Sequence, residues 1–130
     1  MATENQHQTA LFKWSRQPKI RAAFPELKLL FHIKNETREG AAQVAVDRAM
    51  GVKKGVPDLC LPVARGKYHA LYIEMKTEKG RTTKEQEWWL EALREAGSCA
   101  CLCRGWEVAA QVLTWYLSLP EEGEQDGISL

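Results

Sequence analysis

The segment that decides the fold is 56–76, VPDLCLPVARGKYHALYIEMK, in which two apolar runs are separated by a short polar stretch. The runs, 58–63 and 68–76, have the length and composition of β-strands. Residues 64–67, with Gly66 among them, are suited to a tight turn. The segment therefore predicts an antiparallel hairpin.

The open end of this hairpin carries ionisable residues. Asp58 begins the first strand, and pairing across the turn returns Glu74, in the second strand, to the same level. Because alternate side chains of a strand share a face, Glu74 and Lys76 point the same way. Carboxylates and a main-chain carbonyl such as that of Met75 are ligands that suit Mg²⁺ or Mn²⁺. The arrangement predicts metal-dependent hydrolysis of a phosphodiester, with the lysine orienting or activating a water.

The same residues also have an ordinary structural interpretation. Pro57-Asp58 can simply begin a turn, because both residue types are common there. A Glu-x-Lys pattern on a strand is often a solvated face. The short pattern alone leaves both interpretations open.

Further motifs, spread from residue 3 to residue 117, narrow the choice. They are TENQHQTALFKW at 3–14, FPEL at 24–27, KN at 34–35, GVKKGVPDL at 51–59, YIEMK at 72–76, TKEQ at 83–86 and CRGW at 103–106. In these motifs the chain resembles the VRR-Nuc family of the PD-(D/E)xK nuclease superfamily, especially its small stand-alone phage and bacterial members. The resemblance implies a restriction-endonuclease-like fold and a nuclease activity.

The resemblance also implies an active site, whose residues are Glu4, Asp58, Glu74, Lys76 and Gln86. Asp58, Glu74 and the Met75 carbonyl would hold Mg²⁺ or Mn²⁺, and Glu4 would join through a bound water or a second ion. One departure from the family pattern is the sequence ETRE at 36–39, where a loop richer in glycine and lysine is expected. This departure concerns loop contacts to the substrate rather than the chemistry.

Two of these residues also have local helical roles. Glu4 lies in the first turn of a helix predicted from Glu4 to about Arg16, where an acidic side chain interacts favourably with the helix dipole. Gln86 is the third residue of a Thr-x-x-Gln capping box that begins at Thr83. A helix that starts beside the site allows Gln86 to cap the helix and to contact the phosphate, Lys76 or water.

Charge is unevenly distributed along the chain, although the net charge is only +1. The segment 120–130 contains four acids and no lysine or arginine, so the rest of the chain carries +5. Between residues 13 and 54 there are ten basic residues and four acids. Such a segment can bind a phosphate backbone, and Lys34, Lys53 and Lys54 are the predicted DNA contacts. Scattered solvated lysines are the alternative.

The cysteines and histidines have no predicted catalytic role. Cys99, Cys101 and Cys103 alternate on a predicted strand, where neighbouring Cα atoms lie roughly 6.5–7 Å apart. No histidine pair completes a tetrahedral zinc site with them. Buried, reduced thiols are the favoured interpretation, which fits a reducing compartment. His32 is interpreted as a strand residue, and neither of the other two histidines has a better claim to be a general base.

The chain is predicted to be one α/β domain, 1–119, followed by an acidic, mobile tail, 120–130. The predicted order is α-β-α-β-β-α-β-α, a central mixed sheet flanked by helices. No apolar run reaches the ~20 residues of a membrane span, and the polar N-terminus is not a secretory signal. We therefore expect a cytoplasmic protein, of a bacterial cell or a phage-infected host. No P-loop is present, so no nucleotide cofactor is expected.

The predicted function is a structure-selective DNA endonuclease. Stand-alone members of the resembled family look like symmetric homodimers acting on branched DNA, including four-way junctions, and a two-fold dimer presents two sites to two strands. A nickase or a general nuclease is the nearest alternative. A non-catalytic DNA-binding module and an adaptor in a larger complex are the competing classes, and metal-dependent cleavage by the isolated chain separates both from an enzyme.

Overall fold

The computed structural model describes residues 1–34 and 40–121. Two helices and a 3₁₀ helix precede the first strand. A third helix and then the predicted hairpin follow it, and a helix, a strand and a last helix come after the hairpin. In chain order the elements are α1 Glu4–Ser15, α2 Pro18–Ala23, the 3₁₀ helix Pro25–Leu29, β1 Phe31–His32, α3 Ala41–Ala49, β2 Leu59–Leu61, β3 Leu71–Lys76, α4 Lys84–Glu95, β4 Cys99–Arg104 and α5 Trp106–Leu117.

The strands of the described residues form one mixed sheet in the order β1-β2-β3-β4. The pairs β1–β2 and β2–β3 are antiparallel, whereas β3–β4 is parallel. The hairpin is confirmed, with Leu59 opposite Ile73. Its turn is closed by two hydrogen bonds between Arg65 and Tyr68, and Gly66 within it has a φ of +56°. A left-handed φ of this kind is one that glycine adopts without steric cost.

Helices cover both faces of this sheet. Leu71, Ile73 and Met75 of β3 are buried in a core that includes Leu11 of α1 and Leu113 of α5. The alternate residues of β3 point to the opposite face. There α4 lies against the sheet, since its Gln86 side chain contacts Glu74. The predicted α/β architecture is therefore confirmed.

Two short elements were not predicted. The helix α2 and the 3₁₀ helix each have a proline at their start, a position where the missing N–H costs nothing and the fixed φ suits a helix. Because the 3₁₀ helix extends to Leu29, the strand that contains His32 is short and consists of Phe31 and His32 alone. The other elements follow one another in the predicted order.

Two predictions fall partly or wholly outside the described residues. The unusual sequence at 36–39 lies outside them, as does most of the predicted acidic tail, 122–130. The tail's first two residues contact the hairpin turn: the Gly66 N–H donates to the Pro120 carbonyl over 2.7 Å, and Glu121 pairs with Arg65. Among the helices of 1–34 and 40–121, none combines the length and apolar character needed to cross a membrane.

Candidate active site

Asp58 is fixed between two neighbouring strands. It immediately precedes β2, and its carbonyl accepts a hydrogen bond from the Ile33 N–H over 2.7 Å. Its carboxylate Oδ2 accepts a second bond, also 2.7 Å, from the Met75 N–H of β3. The main chain of β3 thus holds the Asp58 carboxylate beside Glu74, which confirms the convergence that the hairpin predicts.

Glu74 and Lys76 are almost completely buried, with 2% and 7% of their surface exposed. Both lie on the face of β3 that α4 covers. The Lys76 Nζ is 4.0 Å from Glu74 Oε2 and also 4.0 Å from Glu4 Oε2. Burying a charge is costly unless it is paired, and Glu4 and Glu74 are the acidic side chains that lie beside the ammonium.

Gln86 caps α4 as predicted, and its side chain also contacts Glu74, a partner that the sequence did not indicate. Its Oε1 accepts a hydrogen bond from the Thr83 N–H over 2.9 Å, and the Thr83 hydroxyl accepts one from the Gln86 N–H, which completes the capping box. Its Nε2 donates to Glu74 Oε2 over 3.2 Å. One amide therefore joins the start of α4 to the buried carboxylate.

Glu4 approaches the site from the other side. It is in the first turn of α1, which begins with its own capping box between Thr3 and Gln6. Its side chain is 45% exposed, and its carboxylate lies near Lys76. The helix-dipole role and the contact with the site are compatible, because the start of α1 lies at the end of β3.

Burial and, after it, neighbouring carboxylates set the electrostatics of the site. The pKa of Glu74 is raised from its ordinary value of 4.5 to about 9 by burial, by the neighbouring Asp58 and by Glu4, while Lys76 opposes the rise. A carboxyl group in these surroundings retains its proton at neutral pH unless a cation compensates the charge. The site thus favours added positive charge.

The donor atoms fit a hard divalent cation. The Gly105 N–H donates to the Lys76 carbonyl over 3.1 Å, so the main-chain groups of Lys76 face β4. Because successive residues of a strand alternate, the Met75 carbonyl faces the Asp58 side. Within the described part of the chain, no three His, Cys, Asp or Glu side chains form a metal-binding group. Two carboxylates and a carbonyl are a donor set for Mg²⁺ or Mn²⁺, since Mg²⁺ usually keeps several waters.

The predicted DNA contacts lie near Asp58: Lys34 follows Ile33, whose N–H donates to the Asp58 carbonyl, and Lys53 and Lys54 precede Asp58 in the chain. Lys34, Lys53 and Lys54 are all exposed. The Lys54 carbonyl accepts a hydrogen bond from the Trp89 indole over 3.1 Å. Gly55 packs so closely on Glu85 that an added Cβ would lie 2.6 Å from the Glu85 Cβ. The loop 53–55 is therefore held on the start of α4, beside Gln86.

Two histidines that had no predicted role make contacts beside the site. His32 Nδ1 lies 3.0 Å from the Asp58 carbonyl. His7 Nδ1 accepts a hydrogen bond from the Trp106 N–H. Each contact joins residues far apart in the chain, and no local motif signals either one.

The cysteines are free thiols, and Cys99 and Cys103 are buried as expected, whereas Cys101 is partly exposed. The sulfur atoms of Cys99 and Cys101 are 3.8 Å apart. A hydrogen bond from Cys99 lowers the pKa of Cys101 to about 7, with a smaller contribution from Arg94. Burial raises the pKa of Cys103 to about 12.

Comparison with known proteins identifies the family of the chain. The family model of the VRR-NUC domain matches residues 2–107. A solved structure described as a VRR_NUC domain protein superposes with a TM-score of 0.79, at 31% sequence identity, over 93% of each chain. No curated protein matches the chain. VRR-NUC domains are nuclease-type domains that process DNA, and this chain belongs to the VRR-NUC family.

Proposed function

We propose that this chain is a divalent-metal-dependent endonuclease that hydrolyses phosphodiester bonds in branched DNA, including four-way junctions. The observation that carries the proposal is the hydrogen bond from the Met75 N–H to Asp58 Oδ2, which holds Asp58 beside the buried Glu74. Lys76 Nζ, 4.0 Å from Glu74, completes the group of residues that such chemistry requires.

In the proposed reaction, Asp58, Glu74 and the Met75 carbonyl hold Mg²⁺ or Mn²⁺. The cation would offset the negative charge that develops on the phosphate. Binding requires the Glu74 carboxyl to release the proton that its surroundings favour, so metal affinity rises with pH.

Lys76 is the residue that we propose orients and polarises the attacking water. Its ammonium is almost buried and lies equally close to Glu74 and Glu4, so it is surrounded by two acidic side chains rather than by solvent. A preorganised cation in a water-poor site also stabilises charge on the phosphate.

Gln86 and Glu4 have supporting roles in this proposal. The Gln86 amide, fixed by its helix cap, orients Glu74 and can donate to the phosphate or the water. Glu4 holds Lys76 from the α1 side and contributes through a bound water or a second ion.

The preference for branched DNA and the symmetric homodimer are parts of the same proposal. A single domain of this size has one site, yet cutting two strands at symmetric positions requires two. The exposed Lys34, Lys53 and Lys54 would bind the phosphate backbone beside each site.

The experiment is cleavage of labelled linear duplex, single strand, flap and four-way junction by purified protein. Each substrate is incubated with Mg²⁺, Mn²⁺ or EDTA, beside the Asp58→Ala and Lys76→Ala variants. The proposal is supported if the wild type makes symmetric, metal-dependent cuts in the junction and neither variant does. Cuts confined to one strand indicate a nickase. Binding without cleavage under all metal conditions indicates a DNA-binding or adaptor module and contradicts the proposal.

A further inference from the structure

A groove of about 460 Å³ lies between α1 and β1. One wall is the face of α1 that carries Gln8, Phe12 and Arg16, and the other is formed by Leu30, Phe31 and His32. Arg16, Phe31 and His32 are exposed, so their side chains are accessible to a ligand. No residue of the groove has a role in the proposed catalytic steps.

The groove is continuous with the candidate active site at two points. Gln8 lies four residues after Glu4, so both project from the same side of α1. On the opposite wall, the His32 ring contacts the Asp58 carbonyl over 3.0 Å. A DNA strand that leaves the site along α1 would therefore reach the groove next.

The chemistry of the groove combines a cation, aromatic rings and a polar ring nitrogen. The Arg16 guanidinium lies over the Phe12 ring, 5.7 Å from its centroid. His32 Nδ1 faces a carbonyl oxygen, so Nδ1 carries the hydrogen and, in the neutral ring, Nε2 is an acceptor. Positive charge with aromatic side chains is the combination by which proteins bind single-stranded nucleic acid.

The size of the groove argues against a duplex. Pockets of ~300–1,000 Å³ accommodate a drug-sized molecule, which is the size class of one nucleotide. A whole B-DNA duplex, whose major groove alone is ~12 Å wide, is too wide to enter a groove of about 460 Å³.

We propose that this groove binds an unpaired DNA strand adjacent to the scissile phosphate. Arg16 contacts a backbone phosphate, while Phe31 and His32 contact the neighbouring base. The inference rests on the proposed function for the substrate class and adds a specific feature to it: unpaired nucleotides beside the cleaved bond, where the DNA carries them, strengthen its binding.

The test is a binding measurement in EDTA, which needs no catalysis. Fluorescence anisotropy is recorded for a duplex with a single-stranded arm and for the same duplex without the arm. The Arg16→Ala variant is compared with Lys13→Ala, which removes another exposed charge from α1, outside the groove. Phe31→Ala is a second groove variant without a change of charge.

We expect Arg16→Ala and Phe31→Ala each to weaken binding of the armed duplex by about tenfold and that of the plain duplex by about twofold or less. Lys13→Ala should affect both substrates equally and weakly. If Arg16→Ala and Lys13→Ala lose equal affinity for both substrates, the proposal that the groove binds DNA is overturned, even if the wild type cleaves DNA. Arm-selective binding through Arg16 by a protein that does not cleave would overturn the proposed function and leave the groove supported.

Discussion

The Nδ1 atom of His7 accepts a hydrogen bond from the backbone N–H of Trp106 over 3.1 Å, although the two residues are 99 positions apart in the sequence. This contact joins the first half of α1 to the start of α5, whose N-terminal neighbour, Gly105, donates its N–H to the Lys76 carbonyl. Glu4 lies one turn before His7. The histidine therefore fixes the helix turn that carries Glu4 relative to the strand that carries Lys76.

Replacing His7 with alanine should lower kcat about tenfold and leave DNA affinity within about twofold, since a shift of ~1 Å in a catalytic group is costly. The His7→Asn variant should recover most of kcat, because the Asn carbonyl oxygen can replace Nδ1 as acceptor. The measurement is cleavage kinetics with binding in EDTA. Equal kcat values for the two variants would show that this hydrogen bond does not position Glu4.

Glu74 should make metal-free stability depend on pH. Its pKa is raised from 4.5 to about 9, chiefly by burial and then by Asp58. Between these values the folded protein keeps a proton that the unfolded chain releases, so its stability falls as pH rises through this window. In EDTA we therefore compare the Tm of the Glu74→Gln variant with that of the wild type. The variant's Tm minus the wild-type Tm should be several degrees larger at pH 8 than at pH 5.

Thermal melting at the two pH values measures this difference. Added Mg²⁺ is the control, because a cation that binds the ionised carboxylates stabilises only the wild type. A Tm difference that is the same at pH 5 and pH 8 would contradict the raised pKa of Glu74.

Periodicity and local motifs were sufficient to predict the hairpin, the helix caps and the convergence of Asp58 with Glu74, because each depends on residues near in sequence. They do not predict the helices Pro18–Ala23 and Pro25–Leu29, because these segments are too short to show a periodic pattern. The contacts of His7 and His32 depend on how α1 and β1 pack in three dimensions. No spacing in the sequence encodes that packing.

Cys101 should be the most reactive thiol on β4. The Cys99 hydrogen bond lowers its pKa to about 7, whereas burial raises that of Cys103 to about 12. Because the thiolate is the nucleophile, the alkylation rate of Cys101 should rise with pH about a midpoint near 7. Peptide mass spectrometry after brief iodoacetamide treatment measures the site and rate.

The Cys99→Ala variant should slow this reaction at pH 7, since it removes the hydrogen bond that stabilises the thiolate. Cys60→Ala is the matched control and should leave the rate unchanged, because Cys60 lies on β2, away from this pair. Faster labelling of Cys103 than of Cys101 would contradict the pKa order.

The two roles of Gln86 can be separated by a glutamate. In Gln86→Glu a carboxylate oxygen still accepts from the Thr83 N–H, so the capping box is preserved. The Nε2 donor to Glu74 is lost, and a further carboxylate is placed against that residue. We expect a Tm within a few degrees of wild type and cleavage reduced at least tenfold.

Gln6→Glu is the matched control, because Gln6 has the same position in the Thr3 capping box of α1. It should retain both stability and cleavage. Melting curves and single-turnover cleavage distinguish the variants, and wild-type cleavage by Gln86→Glu would show that the amide donor has no part in the site.

Gly55 and Gly51 offer a matched pair for the loop that carries Lys53 and Lys54. Both have positive φ, +89° and +95°, so alanine at either position is strained by about 1–2 kcal/mol. At Gly55 the new Cβ also meets the Glu85 backbone carbon at 2.7 Å, whereas at Gly51 nothing lies within 4 Å. Gly55→Ala should therefore destabilise by about 1–3 kcal/mol more than Gly51→Ala, as an overpacked contact does.

The same clash should push the lysine loop away from the start of α4 and weaken DNA binding, which Gly51→Ala should leave nearly unchanged. Chemical denaturation gives the free energies of unfolding, and anisotropy in EDTA gives the affinities. Equal destabilisation by the two variants would mean that the loop can move off Glu85 without cost. In that case its position beside Gln86 would not depend on the absence of a side chain at residue 55.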